Sequence, residues 1–203
     1  MYLFKTPFIF RWIFPRKVWG VSASKQVYLT FDDGPTVELT RWILDVLQKE
    51  NVKATFFCVG ENAKQHSELI VEMRSAGHAI GNHTMRHEKG SKASKQAYLD
   101  SIEEAAPYTS STLFRPPYGR LPISFVKPIR KKYKIIMWTW LSYDYDHSVP
   151  VDKILEEAKK IKAGDILVLH DNVKVEERIK VLLPQIISIV KEKGLQFAQF
   201  KDQ

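Results

Sequence analysis

The sequence predicts an α/β fold in which helices cover a parallel β-sheet. Short runs rich in β-branched and aromatic residues alternate with segments whose apolar residues recur at helical spacing. Two runs within the strand candidates, residues 56–59 and 166–169, are apolar at every position. Strands of that kind are typical of a sheet that is buried on both faces, and the alternation favours parallel strands joined by helices.

The predicted elements follow one another along most of the chain. The seven strand candidates are residues 27–31, 54–59, 78–81, 112–115, 135–140, 166–169 and 196–200. Helices are predicted around 39–47 and 69–73 and through 95–105, 123–132 and 151–161. A last helix begins between Val175 and Pro184 and reaches Lys191, with Pro184 either starting or kinking it. Gly77 and Gly194 stand where helix-terminating glycines belong.

The composition indicates one globular domain. A chain of 203 residues without repeats or a linker forms one well-packed unit, which we assign to residues 25–203, after an aromatic-basic segment at 1–24. The net charge of +8 favours polyanionic partners, but the basic residues are dispersed, so we expect no nucleic-acid partner. Cys58 is the only cysteine, which excludes an intrachain disulfide and a cysteine zinc cluster. We expect a monomer.

The N-terminal segment has two interpretations. Its apolar runs, Phe8-Ile9-Phe10 and Trp12-Ile13-Phe14, are too short to span a membrane, and no small-residue cleavage site follows them. We favour a lead-in that covers apolar surface of the main domain, and the alternative is peripheral contact of residues 1–19 with a membrane surface. The compartment stays open. Without a visible export signal, the cytoplasm or the membrane periphery is the default expectation.

Polar residues follow several predicted strands at the point where each strand ends. The residues in question are Asp32, Asp33, His83, Arg115 and His170, and Asp144 follows a strand by a few residues. The carboxyl ends of parallel strands meet at one edge, which is where the catalytic residues of (β/α) barrels gather. The sequence therefore predicts one site at this edge.

The paired acids and histidines point to a metal. His83 and His87 are four residues apart, so one helical turn would place both on the same face. Together with a carboxylate they can bind a divalent ion and leave a coordination position open, as in hydrolytic zinc sites. The second carboxylate of Asp32-Asp33 is then free to accept a proton. The alternative for Asp32-Asp33-Gly34-Pro35 is an ordinary turn.

Three further residues have candidate roles. Arg115 either makes a surface ion pair on a rigid turn or holds Asp32 ionised, because a nearby guanidinium lowers a carboxyl pKa. His170 is a candidate acid at neutral pH, and Asp144 is either its orienting partner or a solvated loop residue. Trp138, Trp140, Tyr143 and Tyr145 could stack on sugar rings, although their alternation suggests that half of them are core residues.

The chain resembles the polysaccharide deacetylases of the NodB-homology type, carbohydrate esterase family 4, over residues 27–200. Five motifs stand in family order, at residues 30–35, 83–87, 115–119, 142–145 and 168–170. The resemblance implies a distorted (β/α) barrel of about seven parallel strands. It also implies metal-dependent removal of N-acetyl groups from amino-sugar polymers, such as peptidoglycan or chitin-like chains.

The resemblance also implies a role for each matching residue. Asp33, His83 and His87 bind the metal, Asp32 is the base, and Arg115 holds that base. The Tyr118 backbone N–H stabilises the oxyanion, His170 is the acid, and Asp144 orients it. The substrate contacts fall on Pro117, Tyr118, Tyr145 and Val168. We expect zinc as the metal, with cobalt, nickel or manganese as alternatives.

Two motifs depart from the family pattern. Leu141 stands where an Asp is usual, Tyr145 replaces a Trp that lines the acetyl pocket, and Val168 replaces a Leu. An acetyl methyl group could still pack against Tyr145 and Val168. Two alternatives remain, namely a hydrolase of another C–N amide or of an O-acetyl ester, and a non-catalytic binder of cell-wall polymer or membrane surface.

Overall fold

The computed structural model describes residues 2–7, 9–10, 17–21 and 25–202. The strands are β1 (Gln26–Asp33), β2 (Thr55–Cys58), β3 (Ala79–Asn82), β4 (Leu113–Phe114), β5 (Lys134–Ile135), β6 (Trp140–Leu141), β7 (Ile166–His170) and β8 (Gln196–Ala198). The α-helices are α1 (Val37–Lys49), α2 (Gly60–Gln65), α3 (Ser67–Ser75), α4 (Lys95–Thr109), α5 (Ile123–Ile129), α6 (Val151–Ala158) and α7 (Glu176–Glu192). Two 3₁₀ turns cover Pro117–Gly119 and Val173–Val175.

The strands form one parallel sheet that curls into a half-barrel. Their order is β5-β4-β3-β2-β1-β7-β6, and β8 pairs with the first residues of β1. In the register, Asp33 stands beside Cys58 of β2 and Asp32 stands beside His170 of β7. The α/β class, the single domain and the distorted barrel of seven parallel strands are confirmed.

The sheet is buried on both faces, as its apolar strands predict. On one side, α1 and α7 cover it with fully buried side chains such as Leu39, Ile43 and Ile186. Residues 56–58 of β2 and 166–169 of β7 are buried at every position. Apolar contact on both faces therefore holds the central strands, and their carboxyl ends form a rigid edge.

The predicted strand at 135–140 is wrong, because the structure has two short strands there. Residues between β5 and β6 bond to the N-terminal segment: the Val18 N–H donates to the Ile135 carbonyl (2.8 Å), and the Met137 N–H donates to the Val18 carbonyl (2.7 Å). The Thr6 N–H donates to the Thr139 carbonyl (2.9 Å). The two ends of this stretch also pair with different strands, because the Ile136 N–H donates to the Phe114 carbonyl of β4 (2.9 Å) and the Thr139 N–H donates to the Ile166 carbonyl of β7 (3.0 Å).

The helices agree with the predicted ones except at their ends. Helix α7 begins at Glu176, so Pro184 lies inside it rather than at its start. The short helix α2 was not predicted. Gly77 and Gly194 have φ of +83° and +68° just beyond α3 and α7, as expected of glycines that end helices.

The described residues of the N-terminal segment pack against the half-barrel. Phe4 and Trp19 are buried, and Lys5 pairs with Asp165 at 3.1 Å, whereas Leu3 and Ile9 are exposed. Phe8 and the run Trp12-Ile13-Phe14 lie outside the described residues, and membrane contact stays a prediction, as does the division between 1–24 and 25–203. Within the described part of the chain, none of the helices combines the length and apolar character needed to cross a bilayer.

Candidate active site

The polar residues that follow the strands line one cleft of about 610 Å³ at the carboxyl edge of the sheet. Asp32 and Asp33 come from β1, His83 and His87 from the loop after β3, and His170 from β7. The prediction that separate strand ends supply one site is confirmed by this arrangement. The cleft is also lined by Tyr118, Tyr145 and Val168, together with residues that the sequence did not single out: Lys89, Gly119, Arg120, Asn172 and Lys174.

The two adjacent acids share the cleft because of the backbone at Asp33. Successive side chains of a strand point to opposite faces, so Asp32 and Asp33 would normally diverge. Asp33 has φ of +82°, a left-handed conformation that is uncommon outside glycine. This turn lets both carboxylates line the cleft. The side chain of Asn172 reinforces it by donating from Nδ2 to Asp33 Oδ2 at 2.6 Å.

Asp33, His83 and His87 converge on a common centre. Asp33 Oδ1 lies 3.2 Å from His87 Nε2 and 3.7 Å from His83 Nε2, and one ligand atom from each residue lies within 4.8 Å of the others. His83 Nδ1 donates to the Arg115 carbonyl at 2.7 Å, which leaves Nε2 without a proton facing the centre. Burial lowers the pKa of His83 to about 4, so its ring is neutral at physiological pH.

These atoms fit a divalent cation. Ligand atoms about 2.0–2.1 Å from a tetrahedral ion are roughly 3.4 Å apart, close to the separations at Asp33 Oδ1. That oxygen is buried and has no hydrogen-bond partner among the described residues. Burial opposes the charge on Asp33, but contact with the His87 ring and the positive charge of His170 hold the pKa of Asp33 well below its usual range. A buried, ionised and unpaired carboxylate oxygen beside two imidazole nitrogens is what a cation needs.

The two histidines do not lie on a helix, and this part of the prediction is wrong. Residues 83–87 form a loop in which Thr84 and His87 have φ of +65° and +56°. These two left-handed residues, rather than a helical turn, bring both rings to one side. The loop is held by its neighbours: Asn82 Oδ1 accepts from the Thr84 N–H (2.9 Å), and Ser101 Oγ accepts from the Met85 N–H (2.9 Å).

Asp32 is paired with a buried arginine. Arg115 Nη1 donates to Asp32 Oδ1 and to Thr30 Oγ1, each at 2.7 Å, and the guanidinium is fully buried. Nη2 and Nε donate to the carbonyls of Met137 (2.9 Å) and Ile136 (3.3 Å). The alternative of a surface ion pair is therefore wrong. This charged hydrogen bond fixes the orientation of the Asp32 carboxylate at the cleft.

His170 and Asp144 form a tight pair on the other side of the cleft. His170 Nδ1 bonds to Asp144 Oδ1 at 2.7 Å, and the His170 backbone N–H donates to Asp144 Oδ2 at 2.7 Å. Asp144 is fully buried, so the alternative of a solvated loop acid is wrong. Burial opposes protonation of His170, but the charge and hydrogen bond of Asp144, helped by Asp33 and Asp32, raise the pKa of His170 to about 9.

The candidate substrate-binding residues occupy different positions. Tyr118 has a left-handed backbone (φ 59°), and its exposed ring lies 4.6 Å from the His87 ring. Tyr145 is 45% exposed and lies edge-on to His170 at 5.0 Å. Val168 is buried and lines the cleft, whereas Pro117 is buried and is not among the residues that line it. Of the four aromatic candidates, Trp140 alone is fully buried in the core, fewer than the expected half, and Trp138 lines the cleft.

Asp171 lies beneath the site and was missed by the sequence analysis. Its Oδ2 accepts from Thr40 Oγ1 at 2.6 Å, and burial raises the pKa of Asp171 to about 7. Gly34 packs directly against this carboxyl, since a Cβ there would lie 2.2 Å from Asp171 Oδ2. The contact explains why a glycine follows the paired acids. The sequence did offer one signal for these residues, namely that Asp171 and Asn172 directly follow His170.

Comparison with known proteins agrees with this fold. Residues 20–134 match the sequence model of the polysaccharide deacetylase family. A peptidoglycan-N-acetylglucosamine deacetylase of Bacillus cereus is 30% identical over 188 residues, which cover 88% of each chain. The chain therefore belongs to the polysaccharide deacetylase family.

Two solved structures show how far the fold is shared. The Bc1960 peptidoglycan N-acetylglucosamine deacetylase, in complex with 4-naphthalen-1-yl-N-oxidanyl-benzamide, matches with a TM-score of 0.87 at 30% identity over 94% of both chains. A CE4 family pseudoenzyme from Bacillus anthracis matches with a TM-score of 0.79 at 26% identity, covering 92% of this chain and 68% of that one. Because both share the fold, the activity of this chain has to be argued from its side chains.

Proposed function

We propose that this polysaccharide deacetylase removes N-acetyl groups from amino-sugar polymers, and that the N-acetylglucosamine of peptidoglycan is its first candidate substrate. The observation that carries the proposal is the convergence of Asp32, Asp33, His83 and His87 in one cleft opposite His170. The names of the Bacillus cereus relative and of the Bc1960 structure support the choice of glycan.

Asp33, His83 and His87 would hold a divalent cation, and we expect zinc. Such an ion, when bound, polarises a carbonyl oxygen and lowers the pKa of the water molecule bound to it toward neutrality. Oxygen and imidazole donors suit zinc, and cobalt, nickel and manganese remain alternatives. Asn172 keeps the Asp33 carboxylate oriented through Oδ2, while Oδ1 faces the histidines.

The other residues of the cleft supply a base, a hydrogen-bond donor for the oxyanion and an acid. Asp32, oriented by its hydrogen bond from Arg115, accepts a proton from the water that attacks the acetamide carbon. The backbone N–H of Tyr118 donates to the oxyanion that develops. His170, kept protonated by Asp144, then donates a proton to the departing nitrogen. The C–N bond breaks, and acetate and a free amine result.

A non-catalytic binder remains the rival from another class. It is favoured by Leu141 and Tyr145, which replace residues that are usual at those positions. It is disfavoured by the intact pairs Asp32–Arg115 and His170–Asp144, because a surface that only binds a polymer does not need a candidate base and a candidate acid in one cleft.

The test is acetate release from N-acetylglucosamine oligomers, peptidoglycan and acetylated xylan, measured with chelator and with added Zn²⁺. We expect release from the first two substrates, its loss with chelator and its recovery with Zn²⁺. Release from acetylated xylan alone would favour an O-acetyl esterase. Glycan binding without release that chelator abolishes would contradict the proposal and favour the binder.

The pH dependence of acetate release offers a test of the acid. His170 acts only when protonated, so we expect activity to persist below its folded-state pKa and to fall as pH rises through it. Replacing Asp144 by Asn removes the charge that raises this pKa, which should shift the alkaline limb of kcat/KM to lower pH. Asp152→Asn, which changes an exposed acid on α6, is the control. An unshifted limb in Asp144→Asn would argue against His170 as the acid.

A further inference from the structure

We propose that Tyr2, Tyr143 and Tyr145 form a carbohydrate-binding subsite that continues the catalytic cleft and binds, through Tyr2, a sugar ring beyond the immediate neighbour of the one being deacetylated. We call these three rings the tyrosine platform. The proposal rests on the proposed function, because it extends the same cleft along the polymer. Its new element is Tyr2, which comes from the N-terminal segment.

The three rings form a continuous row that starts in the cleft. Tyr145 lies edge-on to His170, with ring centroids 5.0 Å apart, and Tyr143 lies 5.9 Å from Tyr145. The ring of Tyr2 lies 5.3 Å from Tyr143 in an edge contact. Tyr145 and Tyr2 are 45% and 41% exposed, while Tyr143 is half-buried between them. The row therefore leads from the acid toward the surface.

The N-terminal segment fixes the outer part of this row. Phe4 is buried, and its ring lies 5.1 Å from Tyr143 in an edge contact. Tyr143 Oη accepts from the Leu3 N–H at 3.2 Å, and the Leu141 N–H donates to the Phe4 carbonyl at 2.9 Å. The contacts of Leu3 and Phe4 thus hold the chain beside Tyr2, and a ring fixed before binding loses little entropy when a ligand arrives.

Polar groups beside Tyr2 complete the chemistry of a sugar subsite. The Ser148 hydroxyl donates to Asp146 Oδ1 at 2.6 Å, so the Tyr2 hydroxyl donates to Ser148 Oγ at 2.6 Å. A pyranose ring offers C–H groups on its faces and hydroxyl groups around its edge. An exposed aromatic face next to hydroxyl and carboxylate oxygens matches both features. The continuity with the cleft favours a glycan chain as the ligand over a lipid surface.

The experiment compares Tyr2→Leu with Tyr2→Phe on a disaccharide and a hexasaccharide of N-acetylglucosamine. Leucine keeps apolar packing against Phe4 but removes the ring, whereas phenylalanine keeps the ring and loses only the hydroxyl. We expect Tyr2→Leu to lower kcat/KM for the hexasaccharide about threefold to tenfold through KM, with the disaccharide unchanged. Tyr2→Phe should keep most of the preference of the wild type for the longer substrate.

Each other outcome has a defined meaning. An equal loss on both substrates would overturn the subsite, since it would show that Tyr2 only supports the fold. An unchanged preference in Tyr2→Leu would overturn it as well. If the wild type releases no acetate, the proposed function fails. The wild type, Tyr2→Leu and Tyr2→Phe are then titrated with the hexasaccharide by calorimetry. Weaker binding by Tyr2→Leu than by the wild type and Tyr2→Phe would support the tyrosine platform, and equal affinities of all three would overturn it.

Discussion

Replacing Asp32 by Asn is expected to reduce acetate release on the order of 10²–10⁴-fold, the usual contribution of a general base. An amide cannot accept the proton of the attacking water, yet it has nearly the same shape as the carboxylate. Metal content should change little, because Asp33, His83 and His87 supply the ligand atoms. Acetate release and metal analysis on the same purified variant measure both quantities.

The matched control is Asp45→Asn, which makes the same chemical change on the exposed side of α1. It should leave activity and metal content at the values of the wild type. Normal acetate release by Asp32→Asn would remove Asp32 from the mechanism. A loss of metal together with activity would place Asp32 among the ligands instead.

Replacing Arg115 by Met should lower the free energy of unfolding by about 3–5 kcal/mol, the usual cost of removing one partner of a buried ion pair. Asp32 would keep a charge in a buried position without its counterion. The carbonyl groups of Ile136 and Met137 would also lose their donors. Urea denaturation in the presence of chelator measures this loss without a contribution from bound metal.

Two further variants make this prediction specific. Arg120→Met changes an exposed arginine that directly follows the 3₁₀ turn Pro117–Gly119. It should alter the free energy of unfolding by no more than about 0.5 kcal/mol. Adding Asp32→Asn to Arg115→Met should recover part of the lost stability, because the unpaired charge disappears. A small loss in Arg115→Met, or no recovery in the double variant, would show that the pair contributes little to the fold.

The sequence was sufficient to predict the sheet and the edge that carries the site. Apolar strands alternate with amphipathic helices, and parallel strands must bring Asp32, Asp33, His83 and His170 to one edge. Such arguments depend only on local pattern and on the geometry of parallel strands. They left the partners of Arg115 and Asp144 open; the family resemblance implied Asp32–Arg115 and His170–Asp144, and the structure places both pairs at hydrogen-bond distance.

The errors concern features that depend on contacts between distant parts of the chain. The loop at 83–87 uses two left-handed residues, which a four-residue spacing cannot distinguish from a helical turn. The strand predicted at 135–140 divides because its first residues pair with β4 and its last residues pair with β7. Asn172 and Ser101 were missed for the same reason, since their importance comes from the atoms that they meet in the folded chain.

Arg115 serves the two halves of the site through different atoms. Its side chain bonds to Asp32, and its backbone carbonyl fixes the tautomer of His83. A shift of this one backbone segment would therefore disturb metal affinity and base strength together. Engineering that aims to exchange the cation should leave residues 115–117 untouched and vary the 84–88 loop, where ligand geometry can change independently of the base.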